Sequence, residues 1–96
     1  MYLIRDVFNA KPGRAKDLVA KFKKSMSHME APGLKWRIMT DTVAGYWTVA
    51  IESEVEDLES YFAMASGGSE NPEAAKAMEG YHDLITGGYR EIFRIE

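Results

Sequence analysis

Two stretches of the chain carry the same short pattern. Ala15-Lys16-Asp17-Leu18-Val19-Ala20-Lys21-Phe22 and Val55-Glu56-Asp57-Leu58-Glu59-Ser60-Tyr61-Phe62 share an Asp-Leu pair and a Phe four residues after the Leu. Each copy follows a strand-like run, and each has the spacing of an amphipathic helix. A chain with this repeat is expected to fold as two strand-helix-strand halves. At 96 residues the two halves must share one core, so residues 1–96 are expected to form a single domain.

The intervening residues order the elements. Tyr2 to Asn9 alternates, with Tyr2, Ile4 and Phe8 on one face and Leu3 and Val7 on the other. Lys11-Pro12-Gly13 ends this strand, because Pro12 cannot donate a ladder hydrogen bond. A first helix is predicted from about Gly13 to Met29, with Leu18, Val19, Phe22, Met26 and Met29 on one stripe. Ala31-Pro32-Gly33 breaks it. Leu34 to Thr40 reads as the second strand, with Leu34, Trp36 and Ile38 opposite Lys35, Arg37 and Met39.

A hairpin through residues 41–45 leads into a third strand, Tyr46 to Ser53. Ser53 and Glu56 have capping-box spacing before the second helix, which points Val55, Leu58, Tyr61, Phe62 and Ala65 inward. Ser66-Gly67-Gly68-Ser69 interrupts that helix and reads as a hinge or lid. A further helical segment starts with Asn71 as N-cap and Pro72 as first residue, runs to about Thr86 and stops at Gly87-Gly88. Tyr89 to Ile95 is the last strand, with Tyr89, Phe93 and Ile95 opposite Arg90, Ile92 and Arg94.

The order strand, helix, strand, strand, helix, strand with right-handed crossovers predicts an α+β fold. It is a ferredoxin-like four-stranded antiparallel sheet with the helices on one face. All four strands carry apolar side chains on both faces, so the face without helices needs a cover, and a second copy of the chain is the simplest. Two such sheets packed face to face make a dimeric barrel, in which a gap is a ready cavity.

Composition narrows the function classes. A hydrophobic fraction of 46% with 28% charged residues belongs to a folded protein. The absence of cysteine excludes disulfides, thiolate nucleophiles and Cys-based zinc sites, and it suits a reducing, cytoplasmic compartment. No run approaches the roughly 20 apolar residues of a membrane span, and the N-terminus lacks signal-peptide character. Residues 1–50 carry nine Lys or Arg against four Asp or Glu, and residues 51–96 three against eleven. The basic first helix lacks aromatic interleaving and Gly-rich RNA-binding motifs, so no nucleic-acid partner is expected. Its lysines are expected instead to face the acidic Glu54-to-Glu59 segment.

Val7-Phe8, then Lys11-Pro12-Gly13-Arg14, then a helix with Leu18 and Phe22, resembles the dimeric alpha-beta barrel superfamily. The NIPSNAP-like and antibiotic-biosynthesis-monooxygenase-like branches are the most similar, and the resemblance runs the whole chain in order and length. It implies a homodimer with a cavity between sheet and helices. Its relatives include cofactor-free monooxygenases, haem-degrading enzymes, isomerases and proteins without known activity. The chain departs from the NIPSNAP pattern at Asp6, which stands where an Arg is usual.

Three side chains are candidates for chemistry. Asp6 and Arg37 are placed to orient or deprotonate a phenol, and His82 to shuttle a proton. Trp36, Tyr46, Trp47 and Tyr81 are candidate walls for an apolar or aromatic ligand, although the favoured reading of this aromatic stripe is core and dimer interface. Arg5 with Asp6, and Arg37 with Asp41, read as cross-strand ion pairs. The resemblance also implies a haem reading, in which His82 lies late in the second helical region, where haem-degrading relatives place their iron ligand. Asn9 and Trp47 fall in strands where those relatives use an Asn and a Trp. His28 reads as a helix C-terminal residue favoured by the dipole. No phosphate loop, nucleophile elbow or metal-ligand spacing is present, and no bound cofactor is expected. The reading is thus a homodimer binding a small apolar or aromatic molecule, either a cofactor-independent monooxygenase or a non-catalytic binding or assembly module.

Overall fold

The structure, a computed structural model, describes residues 1–28, 35–66 and 72–96. The elements in chain order are β1 (Tyr2–Ala10), α1 (Ala15–Ser27), β2 (Lys35–Thr40), β3 (Thr48–Val55), α2 (Leu58–Ser66), α3 (Pro72–Ala77), a 3₁₀ turn (Tyr81–Leu84) and β4 (Ile85–Arg94). The strands form one antiparallel sheet in the order β2-β3-β1-β4, with the helices on one face. This is the expected ferredoxin-like α+β architecture. The expected breaks at Ala31-Pro32-Gly33 and Gly67-Gly68, the cap at Asn71, and the positions of Met29 and Leu34 lie outside the described residues.

Register assigns each side chain to a face. Ile4, Asp6 and Phe8 of β1 pair with Ser53, Ile51 and Val49 of β3 and with Ile92, Arg90 and Gly88 of β4. Across β3, Trp36 and Ile38 of β2 pair with Ser53 and Ile51. These residues share the helix side, where Leu18 and Phe22 of α1 close over Val49, Ile51, Ala10 and Leu84. Leu18 and Val49 are completely buried. Phe8, Phe22 and Tyr81 form an aromatic run through this core, with ring centroids 4.9 and 6.3 Å apart. Arg5, Val7, Arg37, Glu52, Glu91, Tyr89 and Phe93 stand on the opposite, open face.

The two halves of the repeat pack unequally. Phe22 is buried, whereas its counterpart Phe62 is 43% exposed and set edge-on to Tyr61 at 5.6 Å. In the second half Tyr61, one residue earlier, takes the inward position.

Several local expectations are corrected. The second helix is not capped by Ser53, which is buried within β3. Asp57 caps it instead: its Oδ1 accepts from the Glu59 amide at 3.1 Å and its Oδ2 from the Ser60 hydroxyl at 2.6 Å. These bonds, the Ser60 hydroxyl first, hold the Asp57 carboxyl below its usual range. Gly87-Gly88 does not end a helix, because both glycines lie inside β4, which begins at Ile85. The lysines of α1 make no ion pair with described residues of the 54–59 segment; α1 packs on α3 and the 3₁₀ turn, and Lys21 donates to the Glu79 carbonyl at 2.6 Å. The third strand starts at Thr48, two residues later than expected. Tyr46 and Trp47 before it both have positive φ, 52° and 53°.

That turn yields a stability prediction. A left-handed conformation costs an L-residue about 1 kcal/mol relative to glycine. Tyr46 is 83% exposed and contributes little packing in return. Tyr46→Gly is therefore expected to stabilise the protein by about 1 kcal/mol. A denaturant midpoint that falls would refute this account of the turn.

Candidate functional site

The residues singled out from sequence do not converge on one site, although Trp36 and Arg37 line a common groove. Asp6 faces the helices, while Arg37 faces away from them on the open side of the sheet. His82 is exposed on the 3₁₀ turn, its ring stacked on Tyr81 with centroids 4.0 Å apart. Tyr81 is half-buried against the core. Trp36 sits partly exposed on edge strand β2, and Tyr46 projects from the hairpin. Asn9 is exposed at the end of β1.

Asp6 does gather a site, with partners not chosen beforehand. Arg90 of β4 is its direct cross-strand neighbour, and Arg90 Nε donates to Asp6 Oδ1 at 2.5 Å. From above, the Tyr61 hydroxyl of α2 donates to Asp6 Oδ2 at 3.1 Å. The Arg90 guanidinium lies over the Tyr61 ring, 5.6 Å from its centroid, in cation–π geometry. Burial, and then the Asp6 charge, pushes the Tyr61 hydroxyl up to about 12, so it stays protonated and donates at neutral pH. The Asp6 hydrogen bond and charge raise the Arg90 guanidinium above its ordinary value.

This polar cluster is set in apolar surroundings. Ile4 and Ile92 lie two residues along on the same face, and Phe62 flanks Tyr61. The Asp6 side chain keeps 17% exposure and Arg90 43%, so the cluster is reachable. Parity alone contained the signal: a lone acid on the Tyr2, Ile4, Phe8 face of one strand and the bases Arg90 and Arg94 flanking Ile92 on another. Only the β1–β4 register puts Arg90 opposite Asp6.

A second charged cluster occupies the open face. Glu52 of β3 is buried and sits between two direct cross-strand neighbours, Arg5 of β1 and Arg37 of β2. Arg5 Nε donates to Glu52 Oε2 at 2.7 Å, Arg37 Nε to Oε1 at 2.9 Å, and Arg37 Nη2 also donates to Oε1. Arg5 reaches Glu91 at 3.5 Å and lies over the Phe93 ring. The pairs Arg5–Asp6 and Arg37–Asp41 expected from sequence are thus replaced by Arg5–Glu52, Arg37–Glu52 and Arg90–Asp6. A groove of about 430 Å³ beside the Glu52 cluster is lined by Lys35, Arg37, Glu52 and Glu54, with Leu3, Trp36 and Ile95.

Among the described residues no group of three or more His, Asp or Glu side chains is arranged to hold a metal ion. No described helix is long and apolar enough to cross a membrane.

No protein-family model and no curated protein matches the sequence. Solved structures do match. An antibiotic-biosynthesis-monooxygenase-like protein from Chloroflexus aurantiacus superposes with a TM-score of 0.76 at 21% identity, over 99% of this chain and 92% of that one. A NIPSNAP family protein from Agrobacterium tumefaciens gives 0.81 at 11% identity, with the same coverage of 99% and 92%. A variant of MhuD with two manganese protoporphyrin IX molecules bound per active site gives 0.71 at 20% identity, over 99% and 94%. The residue pattern, the sheet order and these superpositions agree: the chain has the ferredoxin-like fold of the antibiotic-biosynthesis-monooxygenase-like and NIPSNAP proteins.

Proposed function

We propose that the protein binds a small apolar or aromatic molecule between the sheet and α2, as a cytoplasmic homodimer closed through the open sheet face. The carrying observation is the Asp6–Arg90–Tyr61 cluster, a reachable set of polar groups converging from three elements on an otherwise apolar layer. Its chemistry selects a ligand with one polar group. Arg90 supplies positive charge and guanidinium donors beyond the Nε that holds Asp6, and the Tyr61 oxygen, whose one proton goes to Asp6, supplies an acceptor, a set that fits the hydroxyl of a phenol or enol and, through Arg90, its anion. The catalytic form of this reading is a cofactor-independent monooxygenase, in which such an anion reacts with dioxygen away from water. One Asp6 oxygen is taken by Arg90 and the other by Tyr61, so its part is to fix the orientation of those two side chains.

A haem alternative rests on the fold shared with MhuD. His82 is exposed and stacked on Tyr81, and it is not among the residues lining the groove beside Glu52. The dimer rests on the apolar and aromatic groups of the open face, where Tyr89 and Phe93 remain exposed. Light scattering at micromolar concentration is expected to give twice the chain mass, and a monomer would refute the closed barrel.

The function is tested with naphthols and hydroxynaphthoquinols, by thermal shift and by an oxygen electrode. Wild-type protein is expected to be stabilised by the ligand, with binding weakened at least tenfold in Asp6→Asn. Oxygen uptake lost in that variant supports the monooxygenase. Ligand binding without uptake supports the non-catalytic module. No binding together with a hemin Soret band lost in His82→Ala would replace the reading by the haem one.

A further inference from the structure

A second concavity lies away from the Asp6 cluster, along the outer side of α1. It holds about 480 Å³, a volume suited to a small organic ligand, and is lined by α1, Thr40 at the end of β2, Asp41 and Trp47. Asp6 lies on β1 with its partners on β4 and α2, whereas this groove follows edge strand β2, two strands across the sheet.

Helical spacing builds one wall. Lys16, Val19, Ala20 and Lys23 stand at i, i+3, i+4 and i+7, so they share one helix face. It is not the face that buries Leu18, Phe22 and Ser25. Val19 and Ala20 form an apolar strip with a lysine at each end, and neither lysine makes an ion pair with a described residue.

Trp47 builds the other wall, on a framed backbone. Its carbonyl accepts from the Ala10 amide at 2.8 Å. Asp41 Oδ1 accepts from the Thr48 amide at 2.8 Å, and the Asp41 amide donates to the Thr48 carbonyl at 3.2 Å. The left-handed turn at Tyr46 and Trp47 is therefore pinned on both sides, and it leaves the indole 43% exposed in the groove. Among the described residues Asp41 is the one acid in the lining, and one of its oxygens is already committed to the Thr48 amide.

An exposed indole facing an apolar strip with a cation at either end is complementary to a flat hydrophobic anion. We propose that this groove binds an aryl carboxylate, its ring between Trp47 and Val19–Ala20 and its carboxylate on Lys16 or Lys23. Ring burial supplies most of the affinity, and the lysines select the anion over its neutral analogue.

The probe is 2-naphthoate, with 2-naphthalenemethanol as the neutral isostere, followed through the Trp47 indole N–H resonance in a Trp36→Phe background. The expected result is a saturable shift of Trp47 by naphthoate, at least fivefold tighter than by the alcohol. The preference is expected to vanish in Lys16→Gln/Lys23→Gln, whose exposed side chains leave the core untouched. Repeating the titration in Asp6→Asn separates this site from the Asp6 cluster: the Trp47 shift should be unchanged. A Trp47 resonance that does not move, equal affinity for acid and alcohol, or a loss of the shift in Asp6→Asn would each overturn the proposal.

Discussion

Gly88→Ala is expected to lower stability by about 3 kcal/mol, shifting the melting temperature of a chain this size by roughly 15 °C. A Cβ added at Gly88 would stand 2.3 Å from the Val7 carbonyl oxygen and 3.3 Å from the Phe8 Cα. Both atoms are backbone, so no rotamer change relieves the overlap. Strand β4 must instead move off β1, where Gly88 pairs with Phe8 close to the register shift at Asn9 and Ala10. The neighbouring Gly87 meets nothing within 4 Å and serves as the control. Gly87→Ala is expected to stay within about 0.5 kcal/mol of wild type, as surface substitutions usually do. Equal urea midpoints for the two variants would remove the close approach from the account.

Glu52→Ala is the second large effect, an expected loss of about 2 kcal/mol at neutral pH. The carboxylate is buried and accepts from both Arg5 and Arg37, so its removal leaves two like charges flanking β3 without the anion between them. A fully buried pair would cost more. The arginine side chains are 36% and 68% exposed, and water recovers part of the loss.

The pH dependence has a definite sign. Hydrogen bonds from Arg37 first and Arg5 second hold the Glu52 carboxyl below its ordinary value of 4.5. A depressed folded-state pKa contributes stability above the unfolded value and loses it as pH falls through the folded one. The gap between wild type and Glu52→Gln is therefore expected to be full at pH 6 and to close as the pH drops below about 4.5. A gap that is constant from pH 6 to pH 3 would show that the effect is packing and not charge.

These two positions bear on function by different routes. Gly88 lies beside Arg90 on β4, so the β1–β4 spacing it permits also holds Asp6 and Arg90 in contact. Glu52 ties β2, β3 and β1 together on the face assigned to the dimer. Its charges are satisfied within one chain, which lets the exposed Tyr89 and Phe93 on that face present an apolar surface.

The sequence by itself determined the order of elements, the ferredoxin-like sheet and the two faces of each strand. Those follow from local rules: alternation assigned Ile4 and Phe8 to one side and Leu3 and Val7 to the other, and the stripe of Leu18 and Phe22 oriented α1. What depends on which residue stands across from which was decided only by the tertiary structure. Asp6 finds Arg90, 84 residues away, and Arg5 finds Glu52 and not its neighbour Asp6, because cross-strand register is set by the packing of the whole sheet. The repeat misled in one respect for the same reason. Local pattern made Phe22 and Phe62 equivalents, but only one half of the molecule has its Phe in the core. In the other, Tyr61 turns inward to place a hydroxyl on Asp6, a choice made by the partner beneath it and not by the helix that carries it.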